Sequence, residues 1–154
     1  EYIQSQLRYI EVKYKTNKNQ TIKIRQSISN QADIGNFIND NTGFSATDLY
    51  TSLNLEYTRI TLLNKINKEK VTLDLNLKCY QEDSNVIFYD NIVIAEVKSE
   101  QIISLKFNEI MKKYSIRSSS FSKYCLGIVS LNPKLKQNNF KMMYNQVIKV
   151  NSNG

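Results

Sequence analysis

The sequence predicts an α+β fold, a mainly antiparallel β-barrel with amphipathic helices packed outside. Three observations point to it. The regular elements of the first hundred positions are mostly strands in which apolar and polar residues alternate with period two. Helical spacing of apolar residues is confined to a few short stretches. One proline, four glycines, no repeat and no linker-like segment leave a single domain over residues 1–154, built of long regular elements.

The elements follow in order. Tyr9–Lys15 sets Ile10, Val12 and Tyr14 against Glu11, Lys13 and Lys15. Asn17 to Gln20 is a turn, and Thr21–Arg25 returns with Ile22 and Ile24 against Lys23 and Arg25, so the pair is a hairpin with one charged face. Ala32–Asn41 carries Ile34, Phe37 and Ile38 at helical spacing, with Gly43 as its C-cap. Leu53–Leu63 is a strand, with Ile60 and Leu62 opposite Tyr57, Arg59 and Thr61. After a turn at 64–68, Lys70–Lys78 alternates most regularly: Val71, Leu73, Leu75 and Leu77 on one face, Lys70, Thr72, Asp74, Asn76 and Lys78 on the other. A loop at 81–85 leads to short strands at Val86–Tyr89 and Ile92–Lys98. Ser99 is placed to cap a helix whose stripe is Ile103, Phe107, Ile110 and Tyr114. A serine-rich segment then enters the apolar run Cys125–Leu131, and the tail from Pro133 holds a last helix or strand with Phe140, Met142, Met143, Tyr144 and Val147.

Composition limits the chemistry. The chain has 21 Lys+Arg, 14 Asp+Glu and no histidine, for a net charge of +7. Without histidine there is no Ser-His-Asp or Cys-His nucleophile, no His-x-Glu zinc deaminase and no zincin helix. A metal would be held by oxygen, which favours Mg²⁺, Mn²⁺ or Ca²⁺ over Zn²⁺. Cys79 and Cys125 lack CxxC spacing and read as free thiols, with a disulfide or a ligand pair the alternatives. No signal peptide and no apolar run of about 18 residues is present, so a cytoplasmic protein is expected, with membrane contact only through parts outside this sequence.

The polar strand faces are strongly cationic. Lys13, Lys23, Arg25, Arg59, Lys70 and Lys98 recur there, with Glu11, Asp74 and Glu96 among them. If helices cover the apolar faces, a closed sheet turns these cations into its lumen, which must then hold something anionic and hydrated. Lys and Arg from several strands suit a polyphosphate chain. Glu96 and Glu11 have two readings, ligands of a divalent cation or structural ion-pair partners. Few aromatics share a strand face with basic residues, Tyr57 beside Arg59 being the main case, so no nucleic-acid partner is expected.

The ordered segments Glu11-Val12-Lys13, Lys23-Ile24-Arg25, Tyr57-Thr58-Arg59, Val71-Thr72-Leu73-Asp74, Ile94-Ala95-Glu96-Val97-Lys98 and Phe121-Ser122-Lys123-Tyr124-Cys125-Leu126-Gly127 are together specific. They resemble the VTC domain, the polyphosphate polymerase branch of the triphosphate tunnel metalloenzymes, in its bacterial form. The resemblance runs from about Tyr9 to about Asn139 and implies a domain incomplete at its N-terminus, completed by a missing segment or a partner chain. It implies a barrel of about eight antiparallel strands, ATP and polyphosphate as substrates, and Mn²⁺ or Mg²⁺ as cofactor. By that resemblance Lys13, Lys23, Arg25, Arg59 and Lys98 bind phosphates, and Ser122 and Lys123 contact phosphate near the reacting end. Arg59, Lys70 and Lys123 are the catalytic cations, Lys70 standing where the family has Arg. Glu96 coordinates the metal, with Glu11 the second candidate. Two alternatives stay open: a tunnel triphosphatase, and a module that binds polyphosphate or an inositol phosphate without turnover.

Overall fold

In the computed structural model every strand pairing is antiparallel, in a mixed α+β fold with two sheets among the described residues, one of two strands and one of four. The structure describes residues 5–18, 20–66, 68–82, 86–99 and 106–152. They group into two compact units, Glu1–Tyr50 and Thr51–Gly154.

The first unit is the hairpin of β1 (Tyr9–Lys15) and β2 (Thr21–Ser27), followed by helix α1 (Gln31–Asn41) and a short 3-10 turn at 46–48. The register pairs Glu11 with Arg25 and Lys13 with Lys23, so the charged residues of both strands share one face. Asn30 opens α1 with a capping box: its side chain accepts from the Asp33 N–H at 3.0 Å, and the Asp33 carboxylate accepts from the Asn30 N–H at 3.1 Å. The helix ends at Thr42 and not at Gly43. The Thr42 N–H and hydroxyl both donate to the Ile38 carbonyl, at 2.9 and 2.8 Å, and satisfy it without a left-handed residue.

The second unit is built around β4 (Lys70–Tyr80). Along one edge lies β3 (Asn54–Leu63); along the other β6 (Ile94–Lys98) and β5 (Ile87–Tyr89) follow end to end, β6 beside residues 70–74 and β5 beside 77–79. The apolar residues of β4 suit this central place. Helices α2 (Lys106–Lys113), α3 (Lys123–Leu131) and α4 (Lys141–Ser152) complete the unit. The tail is thus helical. The expected residues 100–105 of the helix after Ser99, Ile103 among them, lie outside the described residues. Phe107 is half-buried, and its N–H donates to the buried Glu69 carboxylate at 3.0 Å, which caps the first turn of α2.

A bulge changes the expected faces of β4. Glu56 pairs with Lys78 and Thr58 with Leu75, so Asn76 and Leu77 stand opposite Tyr57 alone, and Asn76 has φ 53°. The extra residue reverses the alternation. Leu77 and Cys79 therefore share a face with Asp74 and Thr72, not with Val71, Leu73 and Leu75 as the unbroken pattern suggests. Leu77, Cys79, Tyr89, Ile92, Leu126 and Val147 form the core at that end. A Cβ on Gly127 would stand 2.8 Å from Leu53 and 3.2 Å from the Cys79 sulfur, so α3 packs directly on the sheet there. Both cysteines are free thiols.

Candidate functional site

The bulge gives one face of the four-stranded sheet two halves: an apolar half under α3 and a charged half beside it. Opposed residues in the register share a face. Arg59, Asp74 and Ile94 make one row; Thr61, Thr72 and Glu96 the next; Leu63, Lys70 and Lys98 a third. Arg59, Lys70, Thr72, Glu96 and Lys98 line a recess of about 50 Å³, room for a few waters or the oxygens of an anion.

Lys123 enters from α3. Ser122 is the N-cap of that helix, its hydroxyl accepting from the Cys125 N–H at 3.2 Å, so the predicted phosphate ligand also has a structural task. The cap sets Lys123 at the first helical position, at the junction of the two halves. Its ammonium lies 2.5 Å from Asp74 Oδ2. Arg59 donates to the same carboxylate through Nε to Oδ1 at 2.6 Å and Nη2 to Oδ2 at 2.7 Å, the fork geometry of a strong pair. The Tyr57 ring centroid is 5.1 Å from the Arg59 guanidinium and 5.1 Å from the Lys123 ammonium.

The electrostatics follow from this geometry. The Asp74 side chain is only 1% exposed. Burial alone would raise its carboxyl, but hydrogen bonds from Arg59 and Lys123 outweigh it and hold the group below the usual aspartate value. The Arg59 guanidinium is held still more firmly protonated by its bonds to Asp74. Glu96 is half exposed, pairs with Lys98 at 3.0 Å, and is lowered first by that hydrogen bond, with Lys98, Lys123 and Arg59 adding charge. Lys70 forms no ion pair among the described residues.

The predicted residues thus fall into two groups. Arg59, Lys70, Glu96, Lys98, Ser122 and Lys123 lie in the second unit, around the recess and the α3 N-terminus. Glu11, Lys13, Lys23 and Arg25 share the charged face of the hairpin in the first unit. There Glu11 pairs with Lys13 at 2.8 Å and is lowered by it, and Arg25 lies over the Tyr9 ring at 3.9 Å. Lys13 and Lys23 are directly opposed, and the Glu11 carboxylate on Lys13 offsets part of their repulsion.

Sequence reasoning missed Asp74 as a site residue. The signal was available: counting outward from the turn at 64–69 brings Asp74 opposite Arg59. Among the described residues no group of three or more His, Cys, Asp or Glu could hold a metal. Glu96 offers a single carboxylate. That suits a Mg²⁺ or Mn²⁺ ion carried in by phosphates, which typically uses one or two carboxylates beside phosphate oxygens and water. No helix of the described residues is long and apolar enough to cross a membrane.

A family model for the VTC domain matches residues 1–132 of the chain. Neither a curated protein nor a solved structure matches it significantly.

Proposed function

The chain belongs to the VTC domain family, a family of polyphosphate-related function, and on that premise we propose that it is a metal-dependent polyphosphate polymerase domain. It transfers the γ-phosphate of ATP to a growing polyphosphate chain: a terminal phosphate oxygen of the chain bonds to the γ-phosphorus as the bond to the β–γ bridging oxygen breaks and ADP leaves. The charged face of the larger sheet serves as a wall along that chain. The observation that carries the reading is the gathering of Arg59, Lys70 and Lys98 about one recess on one sheet face, with Lys123 joined to Arg59 through Asp74.

Phosphoryl transfer asks mainly for in-line positioning and for neutralisation of oxygen charge. Arg59 has five N–H donors and spends two on Asp74, which leaves three for phosphate oxygens. Lys70, Lys98 and Lys123 add point charges on flexible stems. These cations screen the repulsion between two polyanions that must meet end to end. The attacking terminus is already ionised, so no histidine or other strong base is needed. In this reading Lys123, at the junction with the apolar half, contacts phosphate near the reacting end. Glu96 would hold Mn²⁺ or Mg²⁺, which when bound neutralises charge across neighbouring phosphate oxygens.

Incubation with ATP and Mn²⁺, with products resolved by length on a gel, tests the reading beside a Glu96→Gln control. A ladder of long chains that the control lacks is the expected result; absence of any ladder from the unaltered chain overturns polymerase activity. One observation favours a second reading. The Glu96 carboxylate is already paired with the Lys98 ammonium at 3.0 Å, the ion-pair alternative to a metal ligand, which suits a module that binds polyphosphate or an inositol phosphate without turnover. Salt-dependent binding without a change in chain length is its signature, and shortening of added chains marks a triphosphatase.

A further inference from the structure

A carboxylate inside a phosphate-binding surface opposes the ligand's charge, so Asp74 needs a reason to be there. Its side chain is 1% exposed and both oxygens are engaged: Oδ1 with Arg59, Oδ2 with Arg59 and Lys123. It is turned inward and spent on the two cations. The Arg59 guanidinium cannot swing without breaking two charge-assisted hydrogen bonds. Lys123 joins the same carboxylate from a different element, so one anion ties β3 and β4 to the first turn of α3. The Tyr57 ring, equally distant from both cations, fills the space beside them.

We infer that Asp74 is a positioning residue, which fixes Arg59 and Lys123 at the spacing a bound phosphate chain requires. The inference rests on the reading of this surface as a phosphate site. Arg59 keeps three N–H donors outside the fork, and Lys123 keeps two of its three. Two cations held close without Asp74 would repel and sample many rotamers, and the ligand would have to order them on binding. The sign of one substitution separates positioning from simple charge balance. Removing a negative charge near a bound polyanion tightens binding if only Coulomb attraction matters. Removing a positioning group weakens it.

The experiment is calorimetric binding of tripolyphosphate at fixed ionic strength to the full chain. The variants are Asp74→Asn, Lys123→Gln and the two combined, each with a thermal melt by circular dichroism. Asp74→Asn is expected to weaken binding by about 10- to 100-fold, the scale of a lost preorganised contact. In the Lys123→Gln background the same change is expected to cost about three- to tenfold, because only Arg59 remains to be misplaced. Folded Asp74→Asn protein that binds as tightly as the unaltered chain, or more tightly, overturns the positioning role. If Asp74→Asn does not fold, Lys123→Gln with and without Asp74→Asn decides, since the combined variant loses one charge of each sign: weaker binding supports the role, equal or tighter binding overturns it. An unaltered chain that does not bind tripolyphosphate overturns the phosphate-site reading and the inference together. Binding that all variants share sinks the inference alone.

Discussion

Asp74 and Arg59 show how one side chain can dominate a site at the residue scale. A buried carboxylate is costly unless its partners stay in place, and removing one partner of a buried pair costs about 3–5 kcal/mol. Arg59 keeps about a third of its side chain in water, so Arg59→Met is expected to cost about 3 kcal/mol, the low end of that range, read by urea denaturation at neutral pH. The pH dependence follows from the depressed Asp74 carboxyl. Its contribution is fully present above the unfolded aspartate value of about 3.9 and is lost as pH falls through the lower native value. Urea midpoints at pH 7, 4 and 2.5 are expected to drop mainly between the last two, and Asp74→Asn is expected to flatten that drop. Glu11 and Glu96 are lowered too, but solvent screens their pairs and they add little to the slope. At this scale the site was partly legible. Period-two alternation singles out Arg59, Lys70, Glu96 and Lys98, and they share a recess. Asp74 was legible as the residue opposite Arg59 but not as a buried group, because alternation distinguishes faces, not burial. It becomes buried only when α3 docks on that face and brings Lys123 against it.

The element that organises the second unit is the bulge at Asn76. Strand positions and turn sites were legible from alternation and polar clusters, which are local properties. The bulge was not, because Asn76 continues the alternating pattern and only the register across β3 exposes the extra residue. Its consequence is long-range: it brings the apolar half under α3 and the charged half around Arg59 onto the same face. A β-branched residue at φ 53° is strained, whereas asparagine tolerates that conformation. Asn76→Val is expected to lower stability by about 1–2 kcal/mol in denaturant melts and to weaken tripolyphosphate binding with it. Asn76→Gly keeps the backbone accessible and is expected to leave both unchanged within about 0.5 kcal/mol. The close approach of α3 gives a second handle. Gly127→Val would press a branched side chain into Leu53 and the Cys79 sulfur, at an expected cost of about 1–3 kcal/mol in the same melts. The Cys125–Leu131 run alone did not mark a helix. Its type is fixed by the Ser122 cap and by the packing of Leu126 and Val129, which is tertiary information.

For the whole molecule, the net charge of +7 matters through its placement. Each compact unit carries a cationic strand face, the hairpin with Lys13, Lys23 and Arg25 and the larger sheet with Arg59, Lys70 and Lys98. A polyphosphate chain carries a condensed atmosphere of counterions, and every cation that replaces one releases it to solution. The logarithm of affinity therefore falls linearly with the logarithm of salt, with a slope set by the number of phosphates contacted. A residue that meets phosphate contributes about one unit to that slope; a cation on an ordinary solvated face contributes almost nothing. Titration of long-chain polyphosphate from about 50 to 200 mM salt tests this residue by residue. Lys23→Gln in the first unit and Lys98→Gln in the second are each expected to reduce the slope by about one, whereas Lys149→Gln, on α4, is expected to leave it unchanged. Equal small effects from all three would make the charge a diffuse property of the surface. A loss confined to Lys98 would limit the phosphate contacts to the larger sheet and remove Lys23 from the set that the resemblance implied.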